Sequence, residues 1–525
     1  MAPTTSNFTA ACTVNGVSVG ASPATMAAGG TTTLTATVNA TSSCSSAVTW
    51  SVAPSGGTLS PNGNAATFTA PSTGSYTVTA VSSADATKSG AATVAVTAAA
   101  ACGTANGTIV THAANVAASE TWAGDGVTHR VPTSISVTGT AVLTVQPCAI
   151  VALGAGASIT VRDSAKLVAA GTGATRFVAF RRDNAAQPWG ILRGYTDTSL
   201  IELHWTRLEG GGAFGGQLKD PAVAVFGSGY GSPPAPVLRV DNVTIDSPQG
   251  AGVYLDANAA LTSDSQQLTI SGAGGTAVFS TLMSLGSIPS GSYTGNATDE
   301  FVVFGSSTIF ADFTIHDRGV PARIQTSSLF VGPSGGATAP VTLTIEPGVM
   351  LKSPRMIATQ PGARCTFGSN GNSPNNVVGI LSAIGTAAKP IVFTSGEATP
   401  APDDWVGLWL NTANGSRLEH VEIAYAGGAN GIQSNNCRPL NIEDEAALLV
   451  GDFDFQYVPP DDLITSSRIH HSAGFGINAM WQAATVNAPN LTAGNLFENN
   501  AGCAQTYNAL TPPSACPALR GCTAN

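Results

Sequence analysis

Residues 242–253, Asn242-Val-Thr-Ile-Asp-Ser-Pro-Gln-Gly-Ala-Gly-Val253, align with Gln267-Leu-Thr-Ile-Ser-Gly-Ala-Gly-Gly-Thr-Ala-Val278 at an offset of 25 residues. Ile245 falls on Ile270, Gly250 on Gly275 and Val253 on Val278. The pattern returns in Ile469-His-His-Ser-Ala-Gly474-Phe-Gly476-Ile477 and more loosely in Phe497-Glu-Asn-Asn-Ala-Gly502. Each unit is a short strand, a glycine-containing turn and a second short strand. A fixed period with strands at fixed places excludes a sandwich, whose antiparallel strands are joined by connections of varied length. It predicts a coil in which each turn lays its strands in parallel on the turn below.

A longer repeat runs over the same region. Leu143-Thr-Val-Gln-Pro147, Phe177-Val-Ala-Phe180, Trp189-Gly190-Ile191 and Gly210-Gly211 recur in order as Leu343-Thr-Ile-Glu-Pro347, Pro390-Ile-Val-Phe393, Trp405-Val-Gly407-Leu408 and Gly427-Gly428, and Val131-Pro132 returns as Val320-Pro321. Residues 126–312 and 313–505 therefore read as two related halves of one solenoid, with 101–125 as linker and N-terminal cap and 506–525 as a cysteine-containing C-terminal cap. Composition agrees with an all-β chain. Only 10% of residues are charged, against roughly 25% in an ordinary domain, and helical surfaces need those charges.

Residues 1–100 carry one acid, Asp85, and one base, Lys88. Short alternating runs, Thr32 to Val38, Ala47 to Val52, Ala65 to Thr69, Ser75 to Val81 and Ala91 to Val96, are bounded by Gly, Pro, Ser and Asn and predict a small β-sandwich. In Val48-Thr-Trp-Ser-Val52 the alternation puts Trp50 on the inner face as a core anchor.

Two resemblances follow from these strings. Val48-Thr-Trp-Ser-Val52, Gly56-Gly-Thr-Leu-Ser60, Phe68-Thr-Ala-Pro71 and Gly74-Ser-Tyr-Thr-Val-Thr-Ala-Val-Ser82 resemble bacterial immunoglobulin-like domains of the Big type. Thr344-Ile-Glu-Pro-Gly348, Pro390-Ile-Val-Phe-Thr-Ser395 and Trp405-Val-Gly-Leu408 resemble right-handed parallel β-helix proteins of the pectate-lyase-like class, and more closely bacterial surface β-helix proteins. The resemblances imply an extracellular or bacterial outer-surface setting. They imply an adhesive, structural or polysaccharide-binding protein, with cell-surface or matrix polysaccharide or other surface proteins as partners; a polysaccharide lyase or glycoside hydrolase is the alternative.

The net charge of −10 argues against a nucleic-acid partner. No apolar run reaches the roughly 20 residues of a membrane span, and the residues after Met1 lack a signal peptide, so any export signal is absent from this sequence. Nine cysteines lie without CxxC or zinc-finger spacing. Cys503, Cys516 and Cys522 are placed to staple the C-terminal tail.

Candidate catalytic residues are the paired acids Asp403, Asp404, Asp461 and Asp462 with Arg468 and His470, a set that resembles polygalacturonase-like hydrolases but lacks their His-containing motif. Each acid pair follows a proline, the usual setting of a solvated turn. Arg318 and Arg323 fall near Pro321 at a spacing that departs from the pectate-lyase arginine element. His470 and His471 are adjacent on a strand, which points them to opposite faces and keeps them from one ion. Twelve acids against Arg417 and Arg438 between Glu397 and Asp462 carry the whole net charge. Within that stretch Glu443, Asp444, Glu445, Asp452 and Asp454 form a candidate Ca²⁺ cluster, since Ca²⁺ gathers several oxygen ligands; no other cofactor is expected. A basic stretch of Arg162, Lys166, Arg176, Arg181, Arg182 and Arg193 precedes it in the first half.

Overall fold

The structure, a computed structural model, describes residues 12–70, 72–98, 101–305, 308–325, 328–332, 340–353, 356–359, 379–410, 415–428, 445–450, 459–479, 489–508 and 519–523. The chain forms two compact units, one of residues 1–103 with 172–176, the other of 104–171 with 177–525.

The first unit holds two four-stranded sheets. All five sequence-predicted runs are strands, including Thr31–Ala40, Ala65–Thr69 and Gly74–Ser82. Three further strands, Val14–Ser22, Thr25–Ala27 and Thr58–Asn62, complete the sheets. Leu34, Phe68, Tyr76, Val78 and Val94 fill the shared core because alternation turns them inward from both sheets. Trp50 departs from its expected role. Its strand, Val48–Ala53, is the edge strand of its sheet, so the indole is half-buried, packs on the core rim and donates Nε1–H to the Gly63 carbonyl at 3.1 Å. A Cys12–Cys44 disulfide ties the chain before the first strand to the chain after Thr31–Ala40, its antiparallel partner.

In the second unit parallel strands stack coil upon coil, the connectivity of a parallel β-helix. The described strands form sheets of twelve, thirteen, eight and five. The 25-residue repeat is the hydrogen-bonding register itself: Ile245 pairs with Ile270 and Val253 with Val278 in adjacent parallel strands. One interior column climbs the thirteen-stranded sheet from Ile135 through Ile159, Leu192 and Val223, and later through Leu351, Phe393, Ile423 and Ile469, all buried. The tail returns as Leu519–Thr523, which pairs antiparallel with Gln505–Asn508 and covers the last edge of the eight-stranded sheet. Cys503 is disulfide-bonded, whereas Cys516 lies outside the described residues.

The two halves match strand for strand but are turned by one face. Val142–Val145 and its counterpart Val341–Ile345 lie in the twelve- and five-stranded sheets. Ile150–Leu153 and Met350–Ser353 lie in the twelve- and thirteen-stranded sheets, and Ile159–Val161 and Met356–Thr359 in the thirteen- and eight-stranded sheets. The thirteen-stranded sheet is thus the third face of the first half and the second face of the second half. The change falls where the 3₁₀ segment Leu282–Ser287 replaces a strand and the twelve-stranded sheet ends at Gly291–Ser292.

The conserved spacing from tryptophan to Gly-Gly within the chain has one cause in both halves. Trp189 Nε1 donates to the Glu209 carbonyl at 2.9 Å and Trp405 Nε1 to the Ala424 carbonyl at 2.7 Å, both indoles being fully buried. A Cβ on Gly211 would stand 2.6 Å from the Trp189 ring, so no larger residue fits. Phe393 sits in the middle of the interior column with no exposed surface. Phe393→Ala is expected to cost about 3–5 kcal/mol, read as a lower denaturant midpoint, and reduction of Cys12–Cys44, which closes a separation of 32 residues, to cost roughly 3–4 kcal/mol in the first unit.

Candidate functional site

The sequence-predicted residues lie on separate elements. Asp404 Oδ2 accepts from Ser395 Oγ at 2.6 Å and from the Ala401 amide at 2.7 Å, which closes the loop after Ile391–Ser395. Asp403 has φ 79° in the same loop. Asp461 and Asp462 are exposed in the turn before Ile464–Thr465. Arg468 and His470 share the strand Arg468–His470. Arg468 is bound by Glu498 of the next coil at 2.8 and 2.7 Å through Nε and Nη2. Glu443, Asp444, Asp452 and Asp454 lie outside the described residues, and Glu445 precedes the strand Ala446–Val450. Among the described residues no group of three or more His, Cys, Asp or Glu side chains is disposed to hold a metal ion.

Arginine 323 has a structural partner that the sequence did not reveal. Glu300, 7% exposed, receives Arg323 Nε at 2.6 Å and Nη2 at 3.1 Å, and also Lys352 Nζ. Burial pushes its carboxyl up, but hydrogen bonds and charge from Arg323 and Lys352 outweigh burial and hold it below the ordinary glutamate range. Arg323 and Lys352 are register partners on adjacent coils, and Glu300 stands two residues before Val302, the register partner of Arg323 on the preceding coil.

The same outward column of the thirteen-stranded sheet runs back through Val302, Phe279, Tyr254 and Ala224 to Arg193. Successive coils bring the aromatic rings into a ladder. Tyr254 and Phe279 are 5.7 Å apart and nearly parallel, Phe279 and Phe304 4.7 Å apart, and Tyr195 carries the guanidinium groups of Arg162 and Arg193 at 4.7 and 4.5 Å. These rings use their faces on one another and on arginines, which makes most of the ladder structural. One place stays open. A cleft of about 370 Å³ is lined by Lys219, Thr276, Phe279, Thr298, Glu300, Arg323 and Gln325 among others, and Lys219 Nζ lies 5.5 Å from the Phe279 ring centroid. Phe279, stacked on Tyr254 and Phe304, and Arg323, paired with Glu300, thus line one cavity with Lys219 and hydroxyl and amide side chains. A larger cleft of about 770 Å³ opens beside Leu282–Ser287 where the halves turn. All three of its ionisable side chains are occupied, His316 by Glu346 at 2.7 Å, Arg318 by the Ile288 carbonyl at 2.8 Å and Asp312 by the Thr342 amide at 2.9 Å.

A second cluster lies further along the thirteen-stranded sheet. His470, 5% exposed, places Nε2 3.0 Å from Glu422 Oε1 and Nδ1 2.7 Å from His471 Nδ1. The adjacent histidines therefore meet rather than point apart. His471 follows the strand Arg468–His470 with φ 54°, a left-handed turn that swings its ring back onto its neighbour. Tyr425 stacks on His471 at 5.2 Å, and Asn499 Nδ2 lies 3.5 Å from His471 Nε2. The hydrogen bond from His470 holds the Glu422 carboxyl below its ordinary range against the opposing effect of burial. Strand alternation could not reveal this contact, because the turn that makes it begins at the second histidine.

Comparison with protein-family models, with curated proteins and with solved structures finds no match for this chain.

A second histidine pair bears on acid stability. His112 Nε2 lies 2.9 Å from His129 Nδ1, Trp122 stacks against both rings, and His129 Nε2 is 2.9 Å from the Ala123 carbonyl. Burial holds both imidazoles below the ordinary histidine value of about 6.5. The unfolded chain binds these protons more readily, so the pair's contribution is complete above 6.5 and is lost as pH falls through the lowered values. Glu300 and Glu422, both held below the ordinary glutamate range, contribute in the same direction at more acid pH. The thermal midpoint is expected to fall in two stages on acidification, and His112→Gln/His129→Gln to remove the upper stage alone; calorimetry across that range checks it.

Proposed function

We propose that the chain is a secreted or surface-displayed bacterial protein that binds cell-surface or matrix polysaccharide through the open cleft on its thirteen-stranded sheet. In this reading the solenoid is a right-handed β-helix of the pectate-lyase-like class, and the first unit is an immunoglobulin-like spacer of the Big type. The observation that carries the binding role is the convergence of Phe279, Lys219, Arg323, Thr276, Thr298 and Gln325 on one cavity of about 370 Å³. Carbohydrate recognition needs that mixture: an apolar surface for the ring and a few fixed polar groups for its hydroxyls. The disulfide Cys12–Cys44 fits an oxidising setting. Among the described residues no helix is long and apolar enough to cross a membrane.

Binding accounts for the outer surface better than glycosidic cleavage does. A glycosidase requires two carboxyl groups flanking one bond. Here Asp404 closes a loop, Asp461 and Asp462 sit in an exposed turn, and Glu300 is locked between two cations. Lys219 and Gln325 are exposed and support no core packing, so Lys219→Ala/Gln325→Ala leaves the fold intact. On a glycan array the native protein is expected to retain at least one polymer, and the double variant to bind it at least about tenfold more weakly, a loss of about 1.4 kcal/mol. Retention of no polymer by the native protein would sink the binding role, and equal retention by the variant would move it away from this cleft.

A further inference from the structure

The basic stretch of the first half has two members, Arg162 and Arg193, that the fold brings onto one tyrosine. Val161 and Gly194 are register partners on adjacent coils, so Arg162 and Tyr195, each the next residue along, occupy matching places one coil apart. The Tyr195 ring carries the guanidinium of Arg162 at 4.7 Å and that of Arg193, two residues before it, at 4.5 Å. Arg193 also lies over Phe226 at 5.1 Å and Phe214 at 5.7 Å. Its register partner on the next coil is Ala224, whose small side chain leaves the guanidinium room to lie across these rings.

Stacking occupies the faces of a guanidinium and leaves its N–H donors in the plane, at its edge. Among the described residues no hydrogen bond or ion pair takes up those donors on either arginine. By contrast Arg130, Arg239, Arg323, Arg417 and Arg468 each hold a carboxylate. The acids nearest in sequence do not serve the pair: Asp163 Oδ2 accepts the Gly139 amide at 2.9 Å, and Asp197 forms no ion pair among the described residues. Arg162 is exposed and Tyr195 is 45% exposed, so the cluster is open to solvent. Burial opposes the charge of Arg193, and the neighbouring charge of Arg162 adds to that opposition. An anion that reaches both guanidinium groups relieves the second effect and offsets the first.

We propose that Arg162, Arg193 and Tyr195 form a binding site for a tetrahedral oxyanion, a sulfate or phosphate ester borne on a polysaccharide. Two guanidinium edges and the Tyr195 hydroxyl offer more donors than a carboxylate can accept in plane, since one fork already satisfies both of its oxygens. An ester-linked sulfate or phosphate presents three terminal oxygens and can be shared between two forks. The site uses none of the residues that line the cleft beside Phe279, so it stands whether or not that cleft binds sugar.

The test measures retention of the whole chain on immobilised dextran, dextran sulfate, dextran phosphate and polygalacturonate at low salt. One of the two ester polymers is expected to bind at least about tenfold more tightly than dextran or polygalacturonate, the tighter naming the ester, and salt is expected to release it. Arg162→Ala is expected to weaken that binding about tenfold. Arg181→Ala removes the same charge from an exposed arginine outside the cluster and is expected to change it less than about twofold. Arg193→Lys keeps the charge but lacks the planar fork, and is expected to lose as much as Arg162→Ala. A measurement without variants uses phenylglyoxal, which labels guanidinium groups: the bound polymer is expected to slow labelling of Arg162 and to leave Arg181 unchanged, read by peptide mass spectrometry. Equal retention on polygalacturonate, equal losses in the Arg162 and Arg181 variants, full binding by Arg193→Lys, or an unprotected Arg162 overturns the inference.

Discussion

Each coil of the second unit is held to the next by a few parallel hydrogen bonds over short strands, many of three residues such as Ile159–Val161 and Arg417–Glu419. Bonds over three residues cannot specify a register alone, since slipping by two residues keeps the same side chains inside. The interior columns supply the missing constraint. Ile135, Ile159 and Leu192 stand directly above one another, and each fully buried aliphatic side chain contributes about 1.5–3 kcal/mol. A coil displaced from its neighbour would break this column and its counterparts on the other faces together. Everything on the outside, from the ladder around Tyr254 to the cluster around His470, inherits its position from that register.

Much of this order was legible in the sequence because repetition and register are the same quantity in a stacked coil. Ile245 and Ile270 aligned as residues before they were found hydrogen-bonded across coils. Trp189 and Trp405 aligned at matched distances from Gly-Gly because each indole reaches a carbonyl about one coil later. The turn of one face between the halves was not legible. Aligning Leu143 with Leu343 preserves the order of strands, but which sheet a strand joins depends on the coil beneath it, and Leu282–Ser287 interrupts that stack with residues whose pattern is apolar like a strand.

The outer surface shows why site residues were harder to read than core residues. A sequence records which residues face out, but partners across coils are separated by loops of unequal length. Glu300 meets Arg323 and Lys352, which lie 23 and 52 residues away, and neither spacing matches the repeat of 25. Asp403 and Asp404 drew attention as a pair, yet the pairing is a loop-closing device in which one carboxylate serves Ser395 and Ala401. His471 was excluded from acting with His470 by a rule that holds within strands. The rule fails at the residue where a left-handed turn begins.

Low overall charge gives these few ionic contacts their weight. In a chain with 10% charged residues an outward-facing arginine meets few competing partners, so the pairs that form are specific: Arg239 with Asp264 at 2.8 Å, Lys389 with Asp317 at 2.9 Å, Arg468 with Glu498 at 2.7 Å. Each joins residues from different coils, and each is exposed enough that solvent screens it to a small net contribution. Their effect is therefore directional more than energetic, since they hold long side chains flat along the coil and leave other stretches of the surface uncovered. The cleft beside Phe279 and the cluster around His470 both lie along the thirteen-stranded sheet, which among the described residues passes through both halves of the stack.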